Sequence, residues 1–490
     1  MSEHAFAGYP APFIFEGPNR KKKIKQLIWG DYVTLLAPPS AGWQQVRSRG
    51  VTGFMQGTDL QPARLLEICF VDIGQGDGAF LVLPDGRFML VDAGESDNMM
   101  RFLSWRFDLR SAPERVITFD TGVISHPDQD HYKGFSPILQ SRQFRFRRIV
   151  HNGIVERSGT SSLGPTRLAG GIRYLAETLD DTDTLRRRVA DPAFTGRKLY
   201  PGLLRKALES GRVDALLGTG ALGSHLPGFE AGKPLSIEIL GPRGDIVDGQ
   251  PLLRWFGDEG KTKNGHSVVL KLVYDQVRVM LGGDLNTAAE QHLLRAHTGL
   301  PLPAAGADDS AFLAAARRVF EVDVAKACHH GSADFSSLYL RAINPAATVI
   351  SSGDDEPHAH PRPDALGAFG KYSRGERPLI FSTELARSTR ENIRAPQALR
   401  AEIKALYTRR QSATTAEEKA ALDAELDSLL ARLERSVAVY GLINLRSDGR
   451  RVVLAQKLEA RRSGTAEEWD VHRLEPGPDG VLRYASKHDD

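Results

Sequence analysis

The sequence predicts an α/β fold layered as an αββα sandwich. Two observations carry the prediction. Strand-like apolar runs fall into two blocks, roughly residues 65–151 and 235–382, and helix-like segments attach to each block. Within the second block the strands and helices alternate, the pattern of a sheet covered on its outer face by crossing helices.

In chain order, residues 1–23 are rich in Pro, Gly and Ala and read as a flexible lead-in. Residues 24–62 (IKQLIWGDYVTLL, then GWQQVRSRGVTGFM) read as short strands with glycine turns, a five-stranded small barrel. Their turn glycines and Trp43 resemble bacterial SH3-like domains, which implies a module that binds a peptide or another protein, or packs on its neighbour. Residues 63–395 form the main domain. LLEICFVDI, GAFLVL and RFMLVDAG read as strands, the last two joined by the turn Pro84-Asp85-Gly86. Residues 97–108 read as a helix, VITFDTGVI as a buried strand, FSPILQSR as a helix and FRRIVH as a strand. Residues 155–235, with the helical pieces TRLAGGIRYLAETL and LYPGLLRKALESG, read as an insertion over a site. Strands return at LSIEILGP, HSVVLKLVY and VRVMLGGD, followed by the alternating helices and strands that end at PLIFS. Residues 396–490 read as a helical pair followed by a β-meander.

Bulk composition excludes several classes. The chain has 490 residues, 41% hydrophobic and 26% charged, and no run of the roughly 20 apolar residues that a membrane span needs. The opening residues lack the basic-then-apolar pattern of a secretory signal. Two cysteines, Cys69 and Cys328, argue against a disulfide scaffold and fit a reducing, cytoplasmic setting. A net charge of +3 does not mark a nucleic-acid binder. The basic clusters Arg20–Lys25 and Arg142–Arg148 read as solubilising surface when taken alone.

The chemistry concentrates in ISHPDQDHYKGF, where His126, Asp128, Asp130 and His131 follow an apolar strand. A solvated turn is the plain explanation. The alternative is a metal site, because imidazole nitrogen and carboxylate oxygen bind zinc at roughly 2.0–2.2 Å. In an extended loop, side chains two apart point one way and adjacent ones point apart. His126 with Asp128, and Asp130 with His131, would then grip two cations that neutralise the cluster.

This stretch, together with FVDIGQGDGAFLVLPDGRFMLVDAG, NGHSVVLKLVYDQVRVMLGGDLNTAAEQHLL, ACHHGSADFSS and HAHPRPDAL, resembles the metallo-β-lactamase-fold hydrolases. The resemblance is to their DNA-uptake (ComEC-type) branch and to the related phosphorylcholine esterases, and runs from Leu65 to Ser382 with the blocks in order. It implies two divalent metal ions, zinc first, with manganese or iron as alternatives because Asp128 stands where many members have His. The implied ligands are His126, Asp128, Asp130, His131, His266, Asp284 and His330, with Asp284 bridging both ions. Asp92 would brace the ligand loop, and Asn264 would orient His266 or replace it. Gln75 and Asp77 lie on the glycine-rich turn beneath the site. Asp130, with Asp284, would hold a hydroxide bridging the metals in line, and His329 and His360 would donate hydrogen bonds to the phosphoryl or leaving oxygen.

The function expected from this resemblance is hydrolysis of phosphodiester bonds, with DNA or RNA as candidate substrates. A small-molecule phosphodiesterase or esterase on the same site is the first alternative. The second is a non-catalytic binding or sensor module that recruits a partner through the SH3-like part. Arg142–Arg148 and the inserted segment are expected to flank the cleft. His151, His225 and His358 read as satisfied surface residues, and Cys328 as core packing.

Overall fold

The computed structural model describes residues 4–353, 358–383, 396–438, 441–458 and 464–486. The boundary expected at residue 395 falls outside the described residues, as do residues 1–3 of the lead-in and 487–490 of the tail.

The fold is mixed α/β with three principal sheets. The N-terminal sheet has seven strands: His4–Ala7, Phe13–Phe15, Lys23–Gln26, Tyr32–Leu35, Trp43–Ser48, Val51–Gln56 and Leu60–Gln61. Its small core is Ala7, Ile14, Leu27, Val33, Val46 and Met55. The first two strands correct the expectation of a flexible lead-in. His4, Ala5 and Phe6 pair with Thr34, Val33 and Tyr32, and Phe13–Phe15 pairs with Lys23–Gln26. The Pro and Gly content of this stretch belongs to the turns between strands, and its sparse apolar side chains face inward.

The second sheet has ten strands. Val213–Gly218, Phe144–His151, Ile117–Ile124 and Phe88–Ala93 run parallel along one half. Gly78–Val82 and Leu66–Phe70 continue it antiparallel. Four C-terminal strands then add to Leu66–Phe70: Ile443–Ser447, Val452–Lys457, Trp469–Pro476 and Leu482–Ala485. The tail meander is thus an extension of this sheet. The third sheet has six strands, from antiparallel Leu235–Gly241, Val269–Tyr274 and Val277–Leu281 to parallel Val324–Lys326, Ala347–Ile350 and Leu379–Ser382.

Apolar periodicity decides how the layers stack. Ile68, Phe70, Leu81 and Met89 of the ten-stranded sheet share one core with Ile237, Leu270, Val279 and Val349 of the six-stranded sheet. On the far side of the ten-stranded sheet, Phe80, Phe119 and Phe146 pack under the helices Asn98–Arg106, Phe135–Gln140 and Leu199–Glu209 through Phe102, Phe135 and Tyr200. Beyond the six-stranded sheet, Met280 and Ala325 meet Leu293, Phe312 and Tyr339 of three further helices, Thr287–Thr298, Ser310–Phe320 and Ser337–Ile343. At about 1.5–3 kcal/mol per fully buried large side chain, these three cores dominate the folding energy.

Residues 166–175 are not helical as expected. Thr166–Ala169 and Ile172–Leu175 form a hairpin whose turn, Gly170-Gly171, has positive φ at both positions (56° and 78°). Paired positive φ is the backbone that two-residue hairpins favour, and Gly supplies it without strain. The helical pair is Pro396–Ser412 and Ala416–Ala438, zipped by Leu399, Ile403, Leu406, Leu422, Leu426 and Leu429. Among the described residues no helix is long and apolar enough to cross a membrane.

Buried charge ties the N-terminal sheet to the larger one. Arg446 forms an ion pair with Glu67 and lies 3.7 Å from Asp31, which Arg49 also grips. Arg446 is almost fully buried, and its removal leaves Glu67 to Arg106 alone and Asp31 to Arg49 alone. Arg446→Ala should lower unfolding free energy by about 1.5–3 kcal/mol, read from urea titration of the full chain.

Candidate metal centre

The sheets set the site at one edge of the shared core. Parallel strands end together there, and the segments leaving Ile117–Ile124, Val277–Leu281 and Val324–Lys326 carry His126 to His131, Asp284, and His329-His330. Ligand sites favour such carboxyl ends because the backbone groups and turns point into a shared crevice. The turn between Leu66–Phe70 and Gly78–Val82 closes the floor with Gln75 and Asp77. Gly76 is required there: its φ is 102°, and a Cβ would sit 1.7 Å from the Asp130 carbonyl oxygen. That close approach lets Asp77 N–H reach the same carbonyl at 3.3 Å.

Four side chains from three segments converge: Asp130, His131, Asp284 and His330, with ligand atoms all within 4.8 Å of one another. His131 Nε2 lies 3.3 Å and His330 Nε2 3.2 Å from Asp284 Oδ2. Asp130 Oδ2 is 3.6 Å from His330 Nε2 and 3.9 Å from His131 Nε2. Donors about 2.0–2.2 Å from a tetrahedral ion sit roughly 3.3–3.6 Å from each other. The observed spacings, 3.2 to 3.9 Å, bracket that figure. His131 Nε2, His330 Nε2 and Asp284 Oδ1 are buried and make no hydrogen bond, so the residues fit a divalent cation.

The opposite ring nitrogens are committed. His131 Nδ1 meets Asp92 Oδ2 at 2.9 Å, and Asp92 Oδ1 accepts from the Ser125 backbone N–H at 2.8 Å. His330 Nδ1 donates to the Ser351 carbonyl at 3.0 Å. These bonds leave each Nε2 turned into the cluster, the arrangement that orients ligating imidazoles. Asp92, His329 and His330 all adopt positive φ (53°, 49° and 53°), a backbone cost of order 1–3 kcal/mol each that the surrounding turn imposes. Asp77 forms a buried ion pair with Lys326 and lies 3.2 Å from His330 Nδ1. Asp77, Asp92 and His131 also approach one another closely, but hydrogen bonds and Lys326 already satisfy that group.

The other expected residues occupy distinct places. His126 Nε2 is 3.6 Å from Asp128 Oδ2, and its Nδ1 faces the hydroxyls of Ser125 and Ser267 at 3.0 and 3.3 Å. Asp128 is paired with Lys263. The Asn264 amide, turned to suit its neighbours, donates to Asp128 Oδ2 at 2.8 Å. His266 is not among the four converging groups: its Nε2 donates to the Arg254 carbonyl at 2.7 Å and its ring packs on Phe256 at 4.8 Å. His329 lies at the rim with Nε2 4.0 Å from Asp284 Oδ2, and its ring is 5.5 Å from that of His360. Gln75 is half-buried on the floor turn.

Arg142–Arg148 does not flank the cleft as expected. Register sets His151 opposite Ile124, at the site's end of the sheet, and Phe144 opposite Ile117, at the other end, while Arg145 lies 3.5 Å from Asp214 and Arg148 3.4 Å from Asp120. His151 is buried, not a surface residue, and burial pushes its imidazole down to about 3. Cys328 packs against the third core, and burial raises its thiol.

Sequence reasoning missed Lys263, Lys326, Ser125 and Ser267. The one signal was Lys326 itself, a lone cation inside the apolar strand text VDVAKA. Ser267 accepts from the Asp284 backbone N–H at 2.9 Å and so holds the turn that presents that carboxylate.

Burial opposes every charge here, yet the partners prevail. His131 and His330 are raised well above the ordinary imidazole range by Asp284 and the other acids around them. Asp284 is held well below the carboxylate range by His330 and His131. Asp128, likewise buried, is drawn down to about 2 by His126 and Lys263. No family model and no curated protein matches the chain.

Metal uptake should therefore release protons. Without an ion both imidazoles are cationic at neutral pH, and each must lose its Nε2 proton to bind. Affinity for Zn²⁺ should rise with pH through neutrality. Calorimetric titrations in two buffers of different ionisation enthalpy should show proton release at pH 7; a pH-independent affinity would refute the assignment.

Proposed function

We propose that the chain is a metal-dependent hydrolase of phosphodiesters with a metallo-β-lactamase-like αββα core. The observation that carries this reading is the convergence of Asp130, His131, Asp284 and His330, with ligand atoms within 4.8 Å of one another, from distant parts of the chain. The helix–sheet–sheet–helix order of the three cores supports the fold part of the reading. The small antiparallel N-terminal sheet supports an SH3-like module beside it.

A divalent ion held by two imidazoles and two carboxylates (zinc, manganese or iron) supplies Lewis acidity towards a phosphoryl oxygen and lowers the pKa of water. The chain supplies the rest. Asp130 is the more exposed of the two carboxylates and orients the attacking water from the cleft side. His329, which burial keeps neutral, offers a ring N–H to a non-bridging oxygen rather than acting as an acid. His360, beside it, hands a proton to the leaving oxygen.

A specific observation favours a compact phosphodiester over a long polynucleotide. Three cations of the inserted segment are engaged by carboxylates: Arg157 and Arg188 by Glu177, and Lys198 by Glu156. His131→Ala should lower kcat/KM on bis(p-nitrophenyl) phosphate by about 10³-fold or more, with unchanged far-ultraviolet circular dichroism. Retention of the wild-type rate would falsify the reading. Oligonucleotide binding by the wild type should show a shallow salt slope, because Arg157, Arg188 and Lys198 are already neutralised by carboxylates.

A further inference from the structure

We propose that the Lys263 ammonium takes the place of a first metal ion between His126 and Asp128, so that the chain holds a single divalent ion, in the pocket of Asp130, His131, Asp284 and His330. The inference rests on the metal-dependent reading above and narrows it.

The donors around Asp128 are already spent. Lys263 forms an ion pair with Asp128 Oδ1 and lies 3.6 Å from Glu156 Oε1. Asn264 donates to the other oxygen, Asp128 Oδ2. Lys263 brings three N–H donors and no lone pair, so it competes with a cation for this carboxylate and cannot serve as a ligand. What remains is at most two donors: His126 Nε2, because Nδ1 of that ring faces two serine hydroxyls, and the unbonded Asp284 Oδ1. His266, which would complete a first site, is committed to the Arg254 carbonyl. Two donors are too few for a zinc or manganese site, which needs at least three protein donors; removal of the Lys263 ammonium would return Asp128 as the third.

Local structure holds the ammonium there. Helix Glu259–Gly265 begins at Asp258, whose side chain accepts from the Lys261 N–H at 2.7 Å. Lys263 sits in the last turn, where the helix dipole favours a cation. Its side chain is only 16% exposed, so the charge is directed into the site and not out to solvent. The second positive charge that a paired-metal site would present to a phosphoryl group is, in this chain, a fixed part of the polypeptide.

The test is metal stoichiometry of the full-length chain. Protein reconstituted with excess Zn²⁺ or Mn²⁺ and desalted is analysed by inductively coupled plasma mass spectrometry, with affinities from calorimetry. The wild type should hold one ion per chain, Lys263→Arg one, and Lys263→Met two. Asp128→Asn should leave the affinity for the single ion within about threefold, whereas Asp130→Asn should lower it about 100-fold or more. Two ions in the wild type would overturn the inference and leave the metal-dependent reading standing. So would a folded Lys263→Met protein that still holds one. A wild-type protein that takes up no ion refutes the metal-dependent reading itself. Should Lys263→Met fail to fold, the wild-type count and the Asp128→Asn affinity still decide.

Discussion

Charge balance in a confined space governs this structure. Asp77, Asp92 and Asp284 are all at least 95% buried at one edge of the shared core, with Asp128 and Asp130 beside them. Isolated carboxylates at that depth would be prohibitively unstable, so cations must be delivered to them. Each local oddity of the backbone serves the delivery. The left-handed pair His329-His330 swings one imidazole onto Asp284 and Asp77, and Asp92 at positive φ reaches Ser125 and His131 at once. Lys326 crosses from the six-stranded sheet to Asp77 beneath the ten-stranded one. The same ion pair therefore fastens the two sheets and sets the floor of the site.

Much of the strand order was legible in the sequence because both central sheets are buried on two faces. Runs such as VITFDTGVI and HSVVLKLVY announce themselves by continuous apolar character, and Pro84-Asp85-Gly86 by turn chemistry. Segments whose identity depends on partners far away were less legible. TRLAGGIRYLAETL has helical composition, and only the paired glycines at 170 and 171 hinted at a hairpin. His4–Ala7 has too few apolar residues to register as a strand until Tyr32–Leu35 lies beside it.

The site divides the same way. His126 to His131 cluster in sequence, and Asp284 and His330 follow strand-like text, so their approach was foreseeable. The orientation of His266 was not, because it depends on a carbonyl twelve residues upstream and on the ring of Phe256. Nor was Lys263 foreseeable as the partner of Asp128. An exposed-looking lysine in KTKNGH carries no mark of the carboxylate that lies 135 positions away.

The way the C-terminal strands dock has a consequence for biosynthesis. Leu66–Phe70 is made early, but one of its edges is covered by Ile443–Ser447, with Cys69 and Asn444 separated by 375 positions. A ribosome adding about 5–20 residues per second leaves that edge open for roughly twenty seconds or more. An unpaired apolar strand edge is a template for wrong partners. The nascent polypeptide thus passes through a window in which it is prone to self-association, closed only when the last part of the ten-stranded sheet emerges.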